Sequence, residues 1–377
     1  MSYFSERKER ISRLSKWVKE NEFAAAVILK EEIESLNCNY LYYGGEHLSG
    51  EYGAIIIDST GECYVIAQEY SFERVKSSGE YSKVYETRQS NSELIYNLKR
   101  MLDSKFPKGK IAIDSGTSVA AFELARSSGI HAQSNSLREF VFQERSVKSD
   151  YEISQIEKAI KTASSGLKKT IGKLSSGLSV DELTKILNSS MIDEGALSSS
   201  FETDIRIRSG VSEKEVRTLR SGDLILFDFG ARLPSMYLSD IGRTIPFGNQ
   251  PKVKDFFEDV FSIKREGLKK ISSGKSGNRV REEIDKVILE HGYVSTHRPG
   301  HQIGLNVHEP YGPHLNYGKE NEAKLETGNV VTWEPGIGEK DIKRPINRFG
   351  LAHMEDMVLV KSGGNSKMLG NLDLKYW

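Results

Sequence analysis

The sequence is poor in cysteine. Cys38 and Cys63 are the only two thiols in 377 residues, and no CxxC spacing joins them. That excludes a disulfide framework and a thiolate metal site, and it leads to the expectation of reduced thiols in a cytoplasmic protein. Long apolar runs are missing as well. The longest early one, Ala24 to Leu29, is far too short to span a bilayer. The opening stretch MSYFSERKERISRLSKWVKE reads as a charged amphipathic helix, not as a basic-then-apolar leader. Neither sign of charge is in excess: 53 Lys and Arg balance 53 Asp and Glu. With no net field to draw the protein to nucleic acid or an anionic membrane, neither is expected as a partner. Histidine is scarce, at eight residues, yet His291, His297, His301, His308 and His314 crowd into one stretch around HRPGHQIGLNVHE. Two readings of that crowding compete: imidazoles used as ligands or proton carriers, or ordinary surface and core histidines.

What is present suffices to fold. A hydrophobic share of 37%, joined by 33 glycines, falls in the ordinary globular range, and the length suits two domains. Ile11, Leu14, Trp17 and Val18 at helical spacing predict an opening helix. The runs AAAVIL (24–29), NYLYY (39–43), GAIIID (53–58), CYVIA (63–67) and KIAID (110–114) read as strands, and SELIYNLKRML (92–102) reads as a helix. Together they predict an α/β domain over residues 1–140. A charged connector, LREFVFQERSVKSDYE, then leads into a long helix carrying Ile153, Ile156, Ile160 and Leu167. Residues 141–377 alternate helices (about 181–193, 254–272 and 278–291) with strands at SFETDIRI, DLILFDFGA, MYLSDIGRTI, HQIGLNVHE, NVVTWEP and EDMVLV. Strand predominance after residue 200 predicts an α+β domain with an antiparallel sheet.

Candidate chemistry is confined to the second domain. Asp228 in LILFDFGA, Asp240 in YLSDIGRT, His301 in PGHQIGL, Glu334 in VVTWEPGI and Glu355 in HMEDMVLV each lie beside glycine or an apolar run. An ionised group there is costly to bury without a partner. The bland alternative is a salt bridge to Arg220, Arg243, Lys343 or Arg348. Taken together, four acids and one imidazole suit a divalent ion, since hard carboxylate oxygens with a little nitrogen favour Mn, Co or Fe, with Zn possible. Asp228-Phe229-Gly230 has no glycine-rich loop or HRD stretch before it, so a kinase metal motif is excluded. SSGKSGNR (272–279) shares only a Gly-Lys-Ser core with a phosphate loop and reads as a solvated turn.

The ordered series DFGA, SDIGRT, GHQIGLNVHE, WEPGI and MEDMVLV resembles the pita-bread metallopeptidases, specifically the branch of Xaa-Pro dipeptidase (prolidase), aminopeptidase P and creatinase. The opening helix followed by NYLYYGG and short strands is similar to that branch's accessory domain, so the resemblance covers nearly the whole length. It implies a creatinase-like amino-terminal domain that helps to exclude long substrates, followed by a pita-bread catalytic domain. It also implies two divalent ions, a short peptide substrate and a homodimer. Carried over by position, Asp228 binds one ion through both oxygens, Asp240 bridges the pair, His301 and Glu334 bind the other ion, and Glu355 bridges from the opposite side. Glu334 becomes the proton shuttle, His308 the oxyanion stabiliser and His297 the neighbour of the substrate's carboxylate end. Gly300 and Gly304 give the backbone room beside His301.

The pattern departs from the family in three places. SFETDIRIRSGVSEKEVRTLRSGD has no histidine where a substrate contact is expected. GLAHMED puts His353 where an arginine normally stands beside the metal glutamate. His353 is therefore a candidate substrate contact, with Arg344 and Arg348 as alternative cations. Finally, Pro234 lies between Asp228 and Asp240, so an irregular turn is expected there rather than a tight hairpin. The expected activity is hydrolysis of short peptides, foremost Xaa-Pro dipeptides. The rivals are an aminopeptidase P-like or non-proline dipeptidase, a metal-independent amidinohydrolase, and a non-catalytic peptide-binding module; the last two predict lost carboxylates.

Overall fold

The computed structural model describes residues 3–30, 37–44, 48, 53–88, 90–107, 109–114, 118–130, 132–133, 135–209, 215–248, 251–310, 312–339 and 352–370. Lys343, Arg344, Arg348 and His131 lie outside these residues. The chain forms two compact units, Met1–Glu144 and Arg145–Trp377.

The first unit is α/β. Helix α1 (Tyr3–Glu20) precedes strand β1 (Ala25–Lys30), helix α2 (Cys38–Gly44), strands β2 (Gly53–Asp58) and β3 (Cys63–Gln68), helix α3 (Phe72–Ser77) and strand β4 (Lys83–Thr87). Helix α4 (Asn91–Lys105), strand β5 (Ile111–Ile113), helix α5 (Val119–Ser127), strand β6 (Ala132–Gln133) and helix α6 (Asn135–Ser146) follow. The strands form one mixed sheet in the order β4-β3-β2-β1-β5-β6. Its three central strands are buried along their whole length, which is why they read as unbroken apolar runs rather than as alternations. The stretch NYLYY is a helix, contrary to the strand expected of it. An all-apolar run does not discriminate helix from strand. What decides is Asn37, whose Oδ1 accepts from the backbone N–H groups of Asn39 and Tyr40, both at 3.0 Å, and so caps α2 at its start.

The second unit opens with α7 (Asp150–Ile171) and α8 (Val180–Asp193), each started by a reciprocal serine-glutamate cap: Ser149 with Glu152 and Ser179 with Glu182. Its strands are β7 (Ser198–Ser199), β8 (Asp204–Ser209), β9 (Glu215–Val216), β10 (Asp223–Phe229), β11 (Ala231–Arg232) and β12 (Ile241–Phe247). After helices α9 (Pro251–Leu268) and α10 (Gly277–Glu290) come β13 (Tyr293–Ser295), β14 (Val330–Trp333), β15 (Ile337–Glu339), β16 (Asp356–Leu359) and β17 (Lys367–Leu369). Every strand pairing in this unit among the described residues is antiparallel. The main sheet runs β12-β10-β8-β9, and a second runs β14-β16-β17. Phe257, Val260 and Ile263 of α9 and Ile284, Val287 and Ile288 of α10 pack with Trp333 and Val331 of β14 and Val358 of β16 in one core. Burying such side chains stabilises the unit by about 1.5–3 kcal/mol each before the cost of ordering them.

Two segments expected as strands are not. The first half of MYLSDIGRTI is a turn: Met236 has φ 68°, and Leu238 makes only an isolated bridge to Arg232 before β12 begins at Ile241. The irregular connection expected at Pro234 is what forms. HQIGLNVHE makes only an isolated bridge, Gln302 to Val331, just after another at Gly300 to Leu315. Glu309 folds that segment back on itself: its Oε1 accepts from the backbone of Leu305 at 3.0 Å and of Asn306 at 3.4 Å, while Arg145 ion-pairs with its other oxygen.

Candidate metal centre and active site

The sheets place the acids by register. Antiparallel pairing sets Asp228 of β10 opposite Gly242 of β12, and Gly242 in turn bridges Glu355, the residue before β16. Asp240 lies one residue before β12, and Glu334 one residue after β14. All four acids therefore sit at or next to a strand end, and all are buried, at 2–5% exposure. His301 enters from the folded-back segment. Its backbone N–H donates to Thr332 Oγ1 at 3.1 Å, and its carbonyl accepts from Thr332 N–H at 2.8 Å. A Cβ on Gly300 would come within 2.0 Å of the Thr332 carbonyl oxygen, so glycine is required for this approach.

Two triads of possible metal donors result: Asp228, His353 and Glu355, and Asp240, His301 and Glu355. Glu355 is common to both. His301 Nε2 is 3.4 Å from Asp240 Oδ2 and 3.5 Å from Glu334 Oε1. Its Nδ1 lies 3.2 Å from the Gln302 carbonyl; a carbonyl only accepts, so the ring proton sits on Nδ1 and Nε2 is left as the donor atom. His353 Nε2 is 3.3 Å from Glu355 Oε2 and 3.6 Å from Asp228 Oδ1. Asp240, Glu334 and Glu355 make no ion pair with lysine or arginine among the described residues, and Asp240 Oδ1 and Glu355 Oε1 are buried there without a hydrogen-bond donor. The salt-bridge alternative thus does not hold for these three acids.

The electrostatics follow. Burial, and then the charges of Asp228 and Glu334, push the Asp240 carboxyl well above its ordinary range. Burial and the charges of Asp240 and Glu334 do the same to Glu355. Burial also acts on Glu334, but the hydrogen bond from His297 and the neighbouring imidazoles outweigh it and hold Glu334 down to about 2. His353 would be lowered by burial, yet the carboxylates of Asp228 and Glu355 beside its ring raise it to about 10. Like charges this close cannot all ionise unless cations join them. The donor set, oxygens with imidazole nitrogens and no thiolate, fits hard or borderline divalent ions.

The other histidines of the cluster have separate neighbours. His297 Nε2 is 3.1 Å from Glu334 Oε2. The His308 ring lies 4.0 Å, centroid to centroid, from that of His301, and its Nε2 is 2.6 Å from Arg298 Nη2. A guanidinium only donates, so this contact makes His308 Nε2 an acceptor and leaves its proton on Nδ1. Burial, His301 and Arg298 lower His308 to about 4. A recess of about 410 Å³ adjoins His297, lined by Arg281, Ser295, Thr296, Arg298 and Asn316. Sequence reasoning missed Arg298 and Thr332. Neither residue forms a motif of its own, and the contacts of both exist only in the folded chain.

The model of metallopeptidase family M24 matches residues 154–362. The chain belongs to metallopeptidase family M24. As an M24 member it is a metallopeptidase, and its second unit has the family's pita-bread fold. Among relatives of this M24 chain, a Pyrococcus horikoshii protein named Xaa-Pro dipeptidase is 26% identical over 371 residues, covering 96% of each chain. The crystal structure of an X-Pro aminopeptidase from Thermotoga maritima superposes with a TM-score of 0.79 at 25% identity, covering 97% of this chain and 98% of that one. A prolidase from Pyrococcus furiosus gives 0.73 at 26% identity, covering 95% and 99%. Among the described residues no helix is long and apolar enough to cross a membrane.

Proposed function

We propose that this chain is a two-metal exopeptidase that hydrolyses short peptides, foremost Xaa-Pro dipeptides. The observation that carries the proposal is the set of buried acids gathered around His301 and His353 with no lysine or arginine to compensate Asp240, Glu334 or Glu355 among the described residues. Asp228, Asp240, His301, Glu334 and Glu355 would hold the ions, Mn, Co or Fe before Zn; the place of Glu355 in both triads suits a bridging carboxylate. Bound there, the cations supply Lewis acidity that polarises the scissile carbonyl and makes water a nucleophile near neutral pH. Glu334 takes the proton of the attacking water and passes it to the leaving amine, steadied by His297 on its second oxygen. His308, neutral and with its proton on Nδ1, donates to the developing oxyanion. The recess beside His297, with Arg281 and Arg298 in its wall, suits the substrate's carboxylate end.

The Xaa-Pro preference rests on the names of the relatives, and the missing upstream histidine favours a looser choice of substrate as the second reading. In the same proposal, residues 1–140 are the accessory domain, 141–377 the catalytic domain, and the protein a cytoplasmic homodimer. The test is to strip the metal and assay Xaa-Pro and non-proline dipeptides with Mn, Co and Zn added back. Hydrolysis of Ala-Pro well above Ala-Ala is expected. Equal cleavage of the two removes the proline preference, and no hydrolysis under any metal overturns the proposal.

A further inference from the structure

His353 holds a place that the family pattern gives to arginine, but its surroundings are those of a ligand. Its Nε2 stands 3.3 Å from Glu355 Oε2 and 3.6 Å from Asp228 Oδ1, the same relation that His301 Nε2 has to Asp240 and Glu334 at 3.4 and 3.5 Å. Donors bonded to one ion at about 2.0–2.2 Å lie roughly 3–3.6 Å apart at octahedral to tetrahedral angles. Both imidazoles meet that spacing, one at each end of the carboxylate cluster.

The fold builds this position. A Cβ on Gly242 would come within 2.3 Å of both Cδ2 and Nε2 of His353, so the ring occupies the space that a side chain at Gly242 would fill. Thr244 clamps the His353 backbone, accepting from its N–H at 2.8 Å and donating to its carbonyl at 3.1 Å. The ring is 2% exposed. It shares the cluster with Asp240 Oδ1 and Glu355 Oε1, buried oxygens with no donor among the described residues.

We propose that His353 is a metal ligand in its own right, giving the ion on the Asp228 side an imidazole nitrogen besides its carboxylate oxygens. The proposal rests on the two-metal reading above. It replaces the substrate contact expected of His353 from the sequence, and it makes the two ions alike, each with one imidazole. An additional nitrogen donor should shift the preference of the Asp228-side ion from Mn towards Co or Zn.

The test is proton NMR of the Co(II)-loaded protein together with calorimetric titration of the metal-stripped chain with Co(II). Two exchangeable, strongly shifted ring N–H resonances are expected in the natural chain, one for each coordinated histidine. His353→Arg should retain one resonance and bind one of its two ions at least tenfold more weakly. His353→Gln, which has no cationic group and little change in bulk, should lose the same resonance and so guards against misfolding of the arginine variant. A single resonance in the natural chain, with His353→Arg binding both ions undiminished, would overturn the inference, because His353 would then act only as a cation beside the acids. Failure of the natural chain to bind Co(II) would overturn the two-metal reading and this inference together.

Discussion

Glu355 and Asp356 are neighbours in sequence, both buried, and electrostatically opposite. Asp356 is met by Arg243 and by Lys264, the latter at 2.7 Å, and although burial pushes its carboxyl up, the two cations bring it below its ordinary value. Glu355 faces Asp240, Glu334 and His353, and burial with those acids lifts it well above its ordinary value. Alternation along a strand puts consecutive side chains on opposite faces, so one step of the backbone separates a carboxylate with resident cations from one without. The first kind of site is complete as the chain folds. The second, on the proposed two-metal reading, is completed by cations from solution, which is what distinguishes a structural ion pair from a metal centre.

The comparison can be broken from either side. The largest effect is expected at Arg243: Arg243→Met leaves Asp356 partly uncompensated in the interior and should cost about 3–5 kcal/mol in urea unfolding. In the metal-stripped protein at neutral pH, Glu355→Gln should have the opposite sign and raise stability, since it removes one of several repelling acids. Next in size is Asp240→Asn, which should weaken metal binding by on the order of 100-fold or more, beyond what loss of a group behind a ligand costs. Full metal content in that variant would count against Asp240 as a shared ligand.

A pH dependence sharpens the same contrast. Asp240, Glu355 and His353 all have raised folded-state values, so the folded chain holds protons that the unfolded chain has released. Stability of the metal-stripped protein should therefore fall as pH rises from about 6.5 towards 9, the unfolded imidazole titrating near the lower limit. His308, lowered to about 4, acts with the opposite sign but only below that window. Saturating metal should remove the slope, and a slope that persists with metal would point to other groups. The smallest effect is expected at Thr332, whose hydroxyl accepts from His301 N–H and lies 3.5 Å from Glu334 Oε1. Thr332→Val should weaken metal binding about tenfold by calorimetry while the fold is retained.

The acids of the candidate centre were legible in the sequence as a set: each lies beside an apolar run, Asp228, Asp240 and Glu334 also near a glycine, and their order resembles the family's. His301 was legible only beside those four acids, since a lone histidine carries no such signal; the close approach of Gly300 to Thr332 that places it is visible only in the folded chain. The helix at NYLYY was not, since its decisive feature is a side-chain cap from Asn37 rather than any periodicity. The bend after His301 was missed for a similar reason: it is imposed by the buried Glu309 and its partner Arg145, 164 positions apart in the chain. The position of His353 depends on the space above Gly242 on another strand, and contacts between strands far apart in sequence leave no local pattern to read.

The most direct measurement is the number of Mn or Co ions bound by the metal-stripped natural chain, set beside that of Glu355→Gln, with dipeptide hydrolysis followed in the same samples. Two ions per natural chain, activity that returns as they bind, and loss of both in the variant are expected. A natural chain that hydrolyses dipeptides with no ion bound, or a Glu355→Gln chain that binds two ions as tightly as the natural one, would contradict the two-metal reading.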